Sequence, residues 1–140
     1  MASFPTRNTG KSKVMKAWLQ HADQSSTARQ IVFEQAVACL KEHDWISART
    51  DARQRAEQKQ PHSQPALGLM MDEWNLLEIF PGDDNTTVIC HYPRKVLGFL
   101  WNVPAQRNVD FEDQARLFDY IYAFFRSDWS KMKSLEQDAT

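Results

Sequence analysis

Glycine is scarce in this chain. Only Gly10, Gly68, Gly82 and Gly98 occur in 140 residues, so there is little material for a loop that wraps its backbone around a ligand. Cysteine is scarcer still: Cys39 and Cys90 cannot make a disulfide framework, and a reducing, cytoplasmic setting is expected. No apolar run approaches the roughly 18 residues that a membrane-spanning helix needs, so no membrane contact is expected. The opening MASFPTRNTGKSK has basic residues without an apolar segment behind them, and a secretory signal is not expected. There is no G-x-S-x-G elbow, no C-x-x-C and no H-x-x-x-H. The usual signatures of a serine nucleophile and of a zinc site are therefore missing.

A phosphate loop is excluded by one residue. Gly10-Lys11-Ser12 matches the tail of G-x-x-x-x-G-K-[ST], but the first glycine of that motif falls on Pro5, which has no amide hydrogen to donate. What remains is charge. Residues 1–60 hold ten Lys/Arg against six Asp/Glu, and residues 61–140 hold seven against twelve. Lys11, Lys13 and Lys16 form one basic cluster, and Arg49, Arg53 and Arg55 form another. Together they define a nucleic-acid-binding alternative, although the sequence pI of about 6.4 is low for such a protein.

Hydrophobic periodicity supplies the elements. Residues 12–22 space Val14 with Trp18, and Met15 with Leu19 and Ala22, in the manner of an amphipathic helix. Thr27 with Gln30 resembles a capping box, and the following IVFEQAVACLKEH places Phe33, Ala36, Val37 and Leu40 on one buried helical face. Residues 47–60 recur in alanine every four positions, which fits a shallow helix or a charged linker; the segment 47–65 is the one candidate for a flexible stretch. Residues 66–73 suit a strand or a short helix. WNLLEIF, TTVICHY and KVLGFLWNV, separated by PGDDN and PR, read as three antiparallel strands. Val88, Cys90 and Tyr92 then face one way, and Thr87, Ile89 and His91 the other. Residues 110–134 read as one long helix, with Asp110, Glu112 and Asp113 in its first turn, Lys131 and Lys133 near its end, and Phe118, Ile121, Tyr122, Phe125, Trp129 and Met132 buried. The expected architecture is α+β in a single domain, residues 1–140: two or three N-terminal helices, a three-stranded meander, and a long C-terminal helix packed on the sheet.

Chemistry-bearing residues have plain structural explanations. Cys39 and His43 are four apart on a helix, but adjacent Cys90 and His91 point to opposite sides of a strand, so no metal is expected. Asp83-Asp84-Asn85 follows Pro81-Gly82 as a turn, and Glu78 suits a strand's outward face. No catalytic residue and no cofactor are expected. The aromatics are more informative. Of the five tryptophans, Trp18 and Trp129 fall on apolar stripes and are expected in the core, while Trp74 and Trp101 fall near the ends of the outer strands. Tyr92, Arg94 and Trp101, with Trp74, make the expected protein-binding surface. The functional expectation is a small non-enzymatic protein-binding module of the adaptor, inhibitor or immunity kind. The alternative is a nucleic-acid-binding regulatory protein using the basic N-terminal helices.

Overall fold

A computed structural model of the chain describes residues 13–96 and 101–138. The elements are, in order, β1 (Met15–Gln20), β2 (Ser26–Ile31), α1 (Phe33–Glu42), α2 (Trp45–Glu57), β3 (Ala66–Met70), β4 (Leu76–Pro81), β5 (Thr86–Val96), β6 (Trp101–Phe111), α3 (Gln114–Phe125) and α4 (Trp129–Asp138). The six strands form one sheet in the order β2-β1-β3-β4-β5-β6, with every pair antiparallel. The class is α+β. The three-stranded meander and the single long C-terminal helix are both corrected, to six strands and to two C-terminal helices.

The N-terminal segment is a strand, not a helix. Met15, Ala17 and Leu19 are buried while Lys16 is exposed and Trp18 and Gln20 are half-exposed. The spacing that suggested a helix, Met15 to Leu19, is four, an even number that also keeps two residues on one face of a strand. Residues 26–31 are likewise a strand rather than the start of the next helix. Thr27 is not a cap: Val32 stands at that position, and the Gln35 side chain accepts from the Val32 amide at 2.8 Å. Within α1, Ala36, Cys39 and Leu40 are buried as the sequence pattern requires, while Phe33 and Val37 are half-buried and Gln35 is buried. Residues 45–57 form a helix rather than a linker, capped by Asp44, whose side chain accepts from the Ser47 amide at 3.0 Å. Residues 66–70 are a strand at the centre of the sheet.

At the C-terminal end, β6 runs to Phe111, so Asp110 pairs across the sheet with Thr87 and its carboxylate accepts from the Thr87 hydroxyl at 2.6 Å. Asp113 caps α3. The helix then stops at Ser127, which takes the left-handed conformation with φ 56°. The Ser127 amide donates to the Phe124 carbonyl, and the Asp128 amide to that of Ala123 at 2.8 Å. This is a Schellman closure, and Asp128 then accepts from the Lys131 amide to begin α4. Lys131 and Lys133 therefore lie in the first half of α4 and not near the end of a long helix. Tyr122 and Trp129, expected in the core, are each 46% exposed.

One hydrophobic cluster holds the molecule together. Met15, Ala17 and Leu19 from β1, Leu67 and Leu69 from β3, Leu77 and Ile79 from β4, Val88 and Cys90 from β5, and Val109 and Phe111 from β6 all point the same way. They meet Ala36, Cys39, Leu40, Leu117, Ile121, Phe124, Met132 and Leu135 from the helices. Burial of each large side chain contributes about 1.5–3 kcal/mol. Helix α2 crosses one end of the sheet. Its Arg49 donates to the Pro81 carbonyl at 2.9 Å, and its far end approaches Asp23 in the β1–β2 turn.

Candidate functional site: the outer face of the sheet

Because the helices gather on one face, the alternate strand positions project from the other. In an antiparallel sheet of this kind the outward positions are ordinarily polar. Here they are polar at the margins and apolar in the middle. Lys16 and Gln20 lie on β1, and Gln106, Asn108 and Asp110 on β6. Between them stand Trp18, Met70, Leu76, Phe80 and Ile89, each partly exposed.

The centre of this face is built around Gly68. A side chain there would meet the Trp18 ring, whose nearest atom is 2.0 Å from the position a Cβ would take. Glycine at 68 thus lets the indole lie flat across β3. Beside it, Glu78 and His91 are diagonal neighbours on β4 and β5, and the His91 Nε2 stands 2.8 Å from the Glu78 Oε1. Both side chains keep about a third of their surface, 34% and 31%, so this polar pair remains accessible within an apolar surround. The expected alternation holds, with Thr87, Ile89 and His91 on the outer face and Val88 and Cys90 turned into the core, and Glu78 faces outward as expected.

The residues singled out as a protein-binding surface are only partly described. Tyr92, Arg94 and Trp101 belong to β5 and β6 by backbone, where Arg94 pairs in register with Val103 and Trp101 with Val96, and their side chains lie outside the described residues. Trp74 is not on an outer strand, because β4 has neighbours on both sides. It sits in the β3–β4 turn, 39% exposed. Asp72 shapes that turn by accepting from the amides of Trp74 at 2.8 Å and Asn75 at 2.9 Å, bonds that hold its carboxyl below the usual carboxylate range. The strand register brings Trp74 and the β5–β6 extension to the same end of the sheet.

Of the two basic clusters only the second, Arg49, Arg53 and Arg55, lies on a helix; Lys16 is on a strand. Lys11 lies outside the described residues. Lys13 and Lys16 are exposed at and on β1, and the Lys13 ammonium reaches the Ser127 hydroxyl at 3.5 Å. On α2, Arg49 pairs with Asp83 and Arg55 with Asp51, while Arg53 is exposed. Neither cysteine joins a metal-ligating group: among the described residues no three His, Cys, Asp or Glu come together. Both thiols are buried. Burial pushes Cys39 up to about 11 and raises Cys90 as well, so neither is a ready nucleophile at neutral pH.

Trp18, Met70 and Phe80 escaped the sequence reading as surface groups. The spacing of four between Val14 and Trp18 reads as a helix stripe. Strict alternation with the buried Met15, Ala17 and Leu19 was the signal that would have placed it outward.

No protein-family model matches the chain, and neither a curated protein nor a solved structure is significantly similar to it. Among the described residues, no helix is long and apolar enough to cross a membrane.

Proposed function

We propose that the protein is a non-enzymatic protein-binding module of the adaptor, inhibitor or immunity kind, and that its contact surface is the outer face of the sheet. The observation that carries this reading is the apolar centre of that face. Trp18, Met70, Leu76, Phe80 and Ile89 stand where a solvated sheet would carry polar groups. An aromatic anchor set among apolar neighbours and rimmed by polar residues is the composition of a protein interface. Trp18 supplies the anchor, held flat by Gly68. The Glu78–His91 pair offers a donor and an acceptor to fix the partner's register, and Lys16 and Asp110 mark opposite margins with opposite charge. The two free, buried thiols suit a reducing compartment, and we assign the protein to the cytoplasm on that basis.

The test is affinity capture from an extract of the source cells, comparing the natural protein with a Leu76→Gln/Ile89→Gln variant of matched thermal stability. The expected result is one or a few proteins retained by the natural chain and lost from the variant. Retention of the same set by both would remove the outer face as the contact surface.

A further inference from the structure

A second site lies away from the outer face, where the α1–α2 junction, the β4–β5 turn and the start of α3 meet around a cleft of about 280 Å³. Its apolar wall is formed by Leu40, Trp45 and Leu117, all buried members of the core. At its mouth stands Ile46, 69% exposed, the most solvent-facing large aliphatic side chain among the described residues. One turn further along α2 stands Arg49, whose side chain keeps only 15% of its surface. The Arg49 Nη1 is fixed by the Pro81 carbonyl at 2.9 Å, and its Nη2 pairs with the Asp83 carboxylate. The two partners are unequal. Pro81 is part of β4, whereas Asp83 is on an exposed turn with 74% of its side chain in water.

A guanidinium fixed by a strand carbonyl and paired with an exposed turn carboxylate is a carboxylate site occupied by the chain's own side chain. His43 also borders the cleft, its ring packed edge-on against Trp45 at 4.4 Å between centroids. Its Nδ1 is buried and has no hydrogen-bond partner, which is costly unless something supplies one.

We infer that this cleft binds a small carboxylate carrying one large apolar side chain, the group presented by a polypeptide's C-terminal residue or by a free acylated amino acid. In this arrangement the carboxylate displaces Asp83 from Arg49. The apolar side chain lies along Leu40, Trp45 and Leu117 under Ile46. The cleft volume is near the lower end of small-molecule pockets, which limits the occupant to about one residue. This inference is independent of the outer-face reading, because it uses other residues, on the helix-bearing side of the sheet.

The experiment is an amide and indole chemical-shift titration of the full chain with N-acetyl-leucine, N-acetyl-leucinamide and a hexapeptide ending in leucine. The expected result is saturable change at Trp45, Ile46 and Gly82 with both carboxylates and none with the amide. Asp83→Asn tightens binding about two- to fivefold, the weight of an exposed ion pair. Arg49→Gln weakens it at least about tenfold. Should Arg49→Gln fail to fold, Ile46→Asp carries the same prediction of weakened binding, since its exposed position leaves the core intact. Tighter binding of the hexapeptide assigns the site to chain ends, and equal binding assigns it to free acids. Equal response to acid and amide, or no response at these residues in both the natural protein and Asp83→Asn, overturns the inference.

Discussion

Tyr120 has no exposed surface, and its hydroxyl donates to the Glu136 carboxylate at 2.6 Å, tying α3 to α4. Arg107 on β6 approaches the same carboxylate at 2.6 Å, so one buried acid links two helices to the sheet. Burial, before any neighbouring charge, raises the tyrosine hydroxyl far above its ordinary range, and it remains a donor at every ordinary pH. Tyr120→Phe is expected to destabilise the fold by about 1.5–3 kcal/mol, the weight of a hydrogen bond to a charged group, measurable by urea unfolding. At Gly68, substitution by alanine sets a methyl group against the Trp18 ring. The indole must lift from the sheet, at a cost of about 1–3 kcal/mol, and tryptophan emission should move to longer wavelength. The two thiols give a chemical test of the core. Because burial raises both, they should react with a thiol reagent at neutral pH only after unfolding. Their contribution to stability is fully present below the ordinary thiol value of 9.0 and is lost as pH rises above it.

Helix ends show which parts of the architecture could be read from the sequence. Helix α2 closes as α3 does: Lys59 takes φ 57°, its amide donates to the Ala56 carbonyl, and the Gln60 amide donates to that of Arg55 at 2.8 Å. Left-handed backbone at a residue with a side chain costs about 1–2 kcal/mol, so Lys59→Gly should raise the melting temperature. Neither closure uses glycine, the residue that ordinarily flags such an end, which is why residues 110–134 read as one helix when Ser127 divides them. Elements whose burial follows a single period were legible: Phe33 to Leu40 as a helix, and Val88 with Cys90 set against Ile89 with His91 as a strand. Met15–Leu19 misled because a spacing of four satisfies both periods, and β2 because an exposed edge strand, Ser26 to Gln30, carries no apolar pattern at all. The outer face was partly legible through Glu78, Ile89 and His91. Trp18 was hidden by the same ambiguity as its strand.

At the scale of the whole molecule, helices cover one face of the sheet and leave the other with an apolar centre. Stability should follow the groups whose ionisation the fold opposes or favours. Burial, the largest influence on His43, lowers it from the ordinary value of 6.5. The unfolded chain therefore takes up that proton first, and stability is lost as pH falls below 6.5. Asp23 and Asp72 are lowered from 3.8 by hydrogen bonds in their turns, from Ser25 and from Trp74 first, and add a further loss as pH falls below that value. The melting temperature should decline from about pH 7 to about pH 5, across the range in which histidine titrates, and His43→Gln should flatten that decline. The most direct test of the outer face as the binding surface is photo-crosslinking in the source cells, with a photoreactive phenylalanine analogue placed at Phe80 or at the exposed Asp119 on α3. The account predicts a discrete protein adduct from position 80 and none from position 119. Adducts from position 119 alone, or the same adducts from both positions, would contradict it.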